Sequence, residues 1–282
     1  MTTLYEGAYA KINLTLDVLG KRPDGYHDIK SVMQTISLRD DIQIDLGTEK
    51  PWCIVCDKEG VPTDESNLCW KAAKMFFETV KKDPDGLTIT ITKRIPMQAG
   101  LGGGSADAAA VLRALNRHYN APLSLPALAE LGSAVGSDVP FCICGGSAIA
   151  KGRGEIIVSL PDMPETIVVL AKLRNLDVST AWVYKNYNPG RVVNNPSIEQ
   201  IAEELSKGGK AIAPYMGNVL ETVTIPANPQ IASIKAAMLS AGAYYSMMSG
   251  SGPTVFALRS TAEERKEKSE TKYFMTVPSF QI

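Results

Sequence analysis

From Lys11 to Val18 apolar and polar residues alternate without a break: Ile12, Leu14, Leu16 and Val18 against Lys11, Asn13, Thr15 and Asp17. Strand side chains point to opposite faces in turn, so this spacing predicts a half-buried β-strand. The same period returns at Ile42, Ile44 and Leu46 and at Leu87, Ile89 and Ile91, which predicts further strands of an antiparallel sheet. Ser66–Val80 has a helical mix with Asn67 near its start, and Ala108, Val111, Leu112 and Leu115 recur at the spacing of one helix face. Pro126–Val135 predicts a short helix before a turn at Gly136, and Ile231–Ala241 another helix. Thr261–Thr271 is a charged run expected to form a solvated helix face. Ile167–Leu173 is an apolar run suited to a buried strand that opens a second domain, and Thr254–Leu258 reads as a strand. Asn186–Ser197, rich in Asn and Pro, reads as a loop. Strands and helices mix without a βαβ rhythm, so the expected class is α+β.

Composition narrows the function more than the fold. The chain has 282 residues, 45% hydrophobic and 21% charged, with a formal net charge of -1. That is enough apolar material for one large domain or two intimate ones. No basic excess points to nucleic acid or an anionic membrane. No apolar run approaches the about 18 residues of a membrane span, and the start lacks the pattern of a signal peptide. The five cysteines are an odd number, better suited to reduced core residues of a cytoplasmic protein than to a disulfide framework.

The chemistry concentrates in a few segments. PMQAGLGGGSADAAA, starting at Pro96, places Gly100, Gly102, Gly103 and Gly104 before Ser105 and a helix. Glycines let the backbone approach a ligand closely, and free N–H groups at a helix start favour an anion such as a triphosphate. No Walker A sequence and no complete G-x-G-x-x-G is present. Lys11 and Asn13 share one face of the first strand, where they suit either a phosphate site or plain solvent exposure. RPDGYHDI, from Arg22, is a turn that presents Tyr26 and His27, one able to stack on a base and the other to hydrogen-bond it. Asp138, in GSDVPFC, sits among small and apolar residues as a base or as a helix cap. SGSGPTVFAL, from Ser249, is a small-residue loop entering a strand and able to close the same cleft. Cys53/Cys56 and Cys142/Cys144 leave a zinc-binding interaction module as an alternative.

Together the glycine loop, the first strand and the SGSGPT loop resemble the GHMP kinase superfamily, in the expected order from the first strand to at least Leu258. AKINLTLDVLGKRPDGYHDI is similar to the branch whose acceptor is a diphosphocytidyl-methylerythritol alcohol. The resemblance implies a two-domain α+β fold, 1–160 ribosomal-protein-like and 161–282 ferredoxin-like, with the active cleft between them. It implies ATP, with Mg²⁺, as co-substrate, and transfer of the γ-phosphate to the C2 hydroxyl of the acceptor. ATP would be bound by Pro96, Met97, Gln98, Ala99, Gly100, Leu101, Gly102, Gly103, Gly104, Ser105 and Ala106, with Asn67 and Lys93 near the adenine. Lys11 and Asp138 match the catalytic pair. Asn13, Tyr26, His27 and Tyr184 match the acceptor site, with Tyr184 and Tyr26 sandwiching a cytosine. No metal-ligating residue is implied, and the oligomeric state stays open, a homodimer included. Two departures touch the ATP loop, where Gln98 stands for a glycine and Ala106 for a serine; a third puts Tyr9 where proline is common. A kinase for mevalonate or homoserine, or a non-catalytic sensor on the same fold, are the competing expectations.

Overall fold

A computed structural model describes residues 1–48, 51–259 and 273–274. The chain begins with β1 (Thr2–Asn13), β2 (Thr15–Lys21), β3 (His27–Leu46) and β4 (Cys53–Cys56), followed by α1 (Leu68–Val80), β5 (Leu87–Thr92), α2 (Gly103–His118), α3 (Leu125–Val135) and α4 (Val139–Cys144). Then come β6 (Ser147–Gly152), β7 (Ile156–Leu160), β8 (Ile167–Ala171), α5 (Thr180–Lys185) and α6 (Ile198–Ser206). The remainder is β9 (Gly217–Asn218), α7 (Glu221–Ala227), α8 (Gln230–Ser240), β10 (Tyr245–Met248), β11 (Val255–Arg259) and β12 (Tyr273–Phe274). Among the described residues no helix is long and apolar enough to cross a membrane.

The 20-residue β3 is the spine of an eight-stranded sheet. Its second half is flanked by β1 and β5, its first half by β2 and β6, all antiparallel. Two pairings are parallel, β4 with β5 and β2 with β9, so the sheet is not antiparallel throughout. The other sheet has the order β10-β11-β8-β12 and is antiparallel. Seven of the eight strands of the first sheet precede residue 161, while β9 returns to it from the C-terminal half.

The predicted strand Lys11–Val18 is two strands broken at Leu14, and it is not half-buried. Ile12, Leu14, Leu16 and Val18 are buried, and so are Lys11, Asn13 and Thr15 on the other face. The apolar face supplies roughly 1.5–3 kcal/mol per large side chain; the polar face is covered by other parts of the chain. Helix α2 explains the alanines: it is buried on every side from Ala106 to Asn116, where methyl side chains let α1 and β1 approach closely. One apolar core runs from the first sheet through α2 to Val168, Ile198 and Phe256, and a smaller one gathers Leu16, Ile29, Val183, Leu220 and Val255. Two short helices, α5 and α6, were not apparent in the hydrophobic spacing, and Asn186–Ser197 holds a 3₁₀ turn at Pro189–Arg191. The charged run Thr261–Thr271 lies outside the described residues.

Candidate active site

A cleft of about 1530 Å³ is lined by the glycine loop, the first strand, the Tyr26 turn, Asp138 and α5. The glycine loop docks on the strand through its backbone. Lys11 N donates to Leu101 O at 3.0 Å, just past a bulge in β1 between Tyr9 and Lys11. Gly102 takes φ +70°, and a Cβ there would meet Lys11 Cγ at 3.0 Å. As the N-cap of α2, Gly102 has no side chain to give, and the first turn carries no acidic residue. The first intrahelical bond runs from Ala106 N to Gly102 O at 2.8 Å, leaving the Gly103, Gly104 and Ser105 N–H groups at the cleft as free donors for an anion.

Beside this helix end lie the two charged groups. Lys11 Nζ stands 3.3 Å from Asp138 Oδ2 and donates to Asn13 Oδ1 at 2.8 Å. Asn13 Nδ2 in turn donates to Ser31 Oγ at 2.8 Å, and Ser31 Oγ to Thr15 O. The ammonium is therefore held by a buried chain of hydrogen bonds, with its side chain only 6% exposed. Asp138 starts α4 but makes no capping hydrogen bond with its side chain, which removes the helix-cap reading. A Cβ on Gly102 would lie 3.7 Å from Asp138 Oδ2, so the carboxylate, the ammonium and the α2 N-terminus meet at one point.

At the other end the His27 ring lies 5.3 Å from the Tyr184 ring, tilted by 32°. Burial lowers the His27 pKa and Lys21 lowers it further, so the imidazole is neutral at pH 7. Tyr184 is held neutral by burial, which raises its pKa. Tyr26 stays exposed, and the Arg153 guanidinium sits over its ring at 5.2 Å.

The glycine-loop side closes on a buried charge cluster. Lys93 pairs with Asp40 and, at 2.8 Å, with Asp107 Oδ2. Burial pushes the Asp107 carboxyl up to about 7, opposed by Lys93 and assisted by Asp40, and its Oδ1 is buried without a partner. Asn67 caps α1 by accepting from Cys69 N at 2.8 Å, while its Nδ2 donates to Pro62 O at 2.6 Å.

Sequence comparison settles the ancestry of this arrangement. The chain is 49% identical over 252 residues to the 4-diphosphocytidyl-2-C-methyl-D-erythritol kinase of Bacillus cytotoxicus, covering 89% of this chain and 86% of that one. The chain belongs to the 4-diphosphocytidyl-2-C-methyl-D-erythritol kinase family. It is thereby a GHMP kinase, an ATP-dependent small-molecule kinase: residues 67–146 match the GHMP kinases N terminal domain and residues 209–271 the GHMP kinases C terminal domain. A crystal structure of 4-(cytidine 5'-diphospho)-2C-methyl-D-erythritol kinase superposes with a TM-score of 0.74 at 33% identity, over 90% of this chain and 89% of that one. A homoserine kinase from Cytophaga hutchinsonii, 21% identical over 93% of this chain and 87% of that one, shares the fold with a TM-score of 0.70.

In this GHMP kinase the residues expected at the ATP loop line the cleft from Pro96 to Ser105, as do Asn67, Lys93, Asn13, Tyr26, His27 and Tyr184. Ala106 is a correction. One helical step past Ser105 its methyl turns into the apolar core, so it does not line the cleft. Lys93 lines the wall in ion pairs with Asp40 and Asp107, and the Arg153 guanidinium lies over the Tyr26 ring. The cysteine pairs lie on different elements, and among the described residues no three His, Cys, Asp or Glu side chains gather as a metal site. Ser31, Asp107, Arg153 and Thr180 were not foreseen, whereas Ser251 belongs to the Ser249 loop expected to close the cleft. Ser31 and Asp107 reach the site only by cross-strand pairing and helix rotation, whereas Arg153, in KGRGE, had a visible glycine-flanked signal.

Proposed function

We propose that this kinase transfers the γ-phosphoryl group of ATP to the C2 hydroxyl of 4-diphosphocytidyl-2-C-methyl-D-erythritol, giving the 2-phosphate and ADP, in non-mevalonate isoprenoid biosynthesis. The observation that carries the reading is the convergence of the uncapped α2 N-terminus with Lys11 and Asp138 in one cleft. Phosphoryl transfer passes through a loose transition state, so positioning and charge neutralisation dominate. The Gly103, Gly104 and Ser105 N–H groups hold the β- and γ-phosphate oxygens. Lys11 neutralises charge on the moving group. Asp138 orients the acceptor hydroxyl and takes its proton late, because a carboxylate is too weak a base to remove it beforehand. Mg²⁺ would come bound to the nucleotide and would supply further charge neutralisation on the phosphates.

Acceptor choice lies at the aromatic end. A neutral His27 offers one donor and one acceptor to a cytosine edge, with Tyr184 beside it and exposed Tyr26 across the cleft mouth. Arg153 suits the diphosphate by charge. The chain divides near residue 160, with 1–160 carrying the phosphate loop and 161–282 carrying α5 and the Ser249 loop.

The test is ADP release measured with Mg-ATP and, in parallel, the diphosphocytidyl alcohol, mevalonate and homoserine. Turnover is expected with the first alone. Turnover with mevalonate or homoserine instead would overturn the acceptor while keeping the kinase, and nucleotide binding without turnover on any acceptor would overturn the catalytic reading.

A further inference from the structure

Facing the glycine loop is a second small-residue loop, Ser249–Pro253, and the two touch backbone to backbone. Ser249 Oγ donates to Gly100 O at 2.9 Å. A Cβ on Gly100, at φ +72°, would lie 2.1 Å from Ser249 O, and one on Gly250 would lie 3.1 Å from Gly100 O. The path of the phosphate loop at Gly100 is therefore set by where the Ser249 loop stands.

That loop is gripped from behind by a segment with no role so far. Buried Asn218, on β9, donates through Nδ2 to Met248 O at 2.9 Å and to Gly250 O at 2.7 Å, while its Oδ1 accepts from Leu220 N at 3.0 Å. One turn on, Glu221 Oε1 accepts from Met248 N at 2.8 Å, and its other oxygen accepts from Lys235 Nζ at 2.6 Å. Another turn on, the buried Thr224 hydroxyl donates to Ser251 O at 3.2 Å. Glu221 and Thr224, three apart on α7, lie along one face of that helix, and Asn218 on β9 reaches the same loop from the strand before it. None of them lines the cleft. The strand under Asn218 pairs with β2 at Leu16 and is further anchored by Val219 N donating to Leu16 O at 3.0 Å. The grip thus ties the Ser249 loop to the strand that follows Lys11 and Asn13.

The geometry points to Asn218, Glu221 and Thr224 as positioning residues for ATP, fixing the phosphate loop through the Ser249–Ser251 backbone. The inference rests on the glycine loop being the phosphate site. Two loops packed with no room for a Cβ at Gly100 transmit a shift directly, and a misplacement of about 1 Å can cost about 100-fold in rate.

The test is to measure kcat, KM for ATP and separate titrations with Mg-ADP and with cytidine diphosphate, in Asn218→Asp, Thr224→Val, Glu221→Ala and Glu221→Gln. Asn218→Asp keeps the shape but faces two carbonyl oxygens with acceptors. It should lower kcat/KM for ATP by about 10- to 100-fold while cytidine diphosphate affinity stays within about twofold. Thr224→Val should show a smaller loss of the same selectivity. Glu221→Gln, which keeps an acceptor for Met248 N, should recover most of what Glu221→Ala loses. Parallel loss of both affinities, or unchanged ATP kinetics, overturns the inference, and Thr224→Val decides it if Asn218→Asp does not fold. Gly100→Ala separates the two readings. If it weakens Mg-ADP while the grip variants do not, only the grip fails; if it too leaves Mg-ADP unchanged, the phosphate-loop reading fails first.

Discussion

Asp138 has the arrangement that a late proton acceptor needs. Its carboxylate is kept from the α4 cap, lies 3.3 Å from Lys11 Nζ and remains partly open to the cleft. Asp138→Asn keeps size and removes the base, so kcat is expected to fall by about 100-fold or more while Mg-ADP affinity, measured by titration, is retained. Near-normal turnover in that variant would remove Asp138 from the mechanism. Asp107 makes a different prediction, about stability. Its folded carboxyl, pushed up to about 7, holds a proton that the unfolded chain loses near the ordinary value of 3.8. Between about pH 4 and 7 the native state binds more protons, so stability falls as pH rises through that window. Asp107→Asn cannot ionise, so urea unfolding at pH 5 and pH 8 should show a smaller loss than in the parent chain. Equal losses would mean that Lys93 satisfies both carboxylates fully.

At the scale of elements, the α2 N-terminus and its loop combine requirements that oppose one another. The loop must turn sharply, expose N–H groups and still pack against Lys11, which is why Gly100 and Gly102 occupy positive φ with no room for a side chain. Gln98 meets the same backbone demand without being a glycine, at φ 49° and exposed. A left-handed conformation costs an ordinary residue about 1–2 kcal/mol, partly offset by the extra freedom that glycine has when unfolded. Gln98→Gly should therefore raise stability by about 0.5 kcal/mol, read as a shift of the denaturation midpoint at unchanged slope. A loss of stability would show that the Gln98 side chain makes a contact worth more than the strain. Helices α5 and α6 escaped the spacing argument because each is short and packs one thin stripe: α5 buries Val183 alone, and α6 buries Ile198, Ile201 and Leu205. Strand periodicity misled at Lys11–Val18 for the opposite reason. Alternation reports polarity, and here the polar face was buried by the glycine loop and β3 rather than by water.

For the molecule as a whole, the larger apolar core includes residues from both sheets, and β9 of the C-terminal half completes the first sheet. Unfolding should accordingly be a single cooperative transition by calorimetry and by circular dichroism. Mg-ADP at about 100 times its dissociation constant should add about 2.7 kcal/mol to it. Two separate transitions, only one of them moved by nucleotide, would show the halves to be independent. The α+β class, a helix opening within the glycine run, and the candidacy of Lys11, Asp138, Tyr26 and His27 were all determined by the sequence alone. They depend on local periods and turn chemistry, which act between near neighbours in the chain. Tertiary structure alone decided that Lys93 is ion-paired, that Ala106 faces the core, that Arg153 covers Tyr26, and that Asn218 grips a loop 30 residues away. Those outcomes depend on which distant segments are brought within hydrogen-bonding distance and on what burial does to charge, and neither is encoded in the spacing of residues along one element.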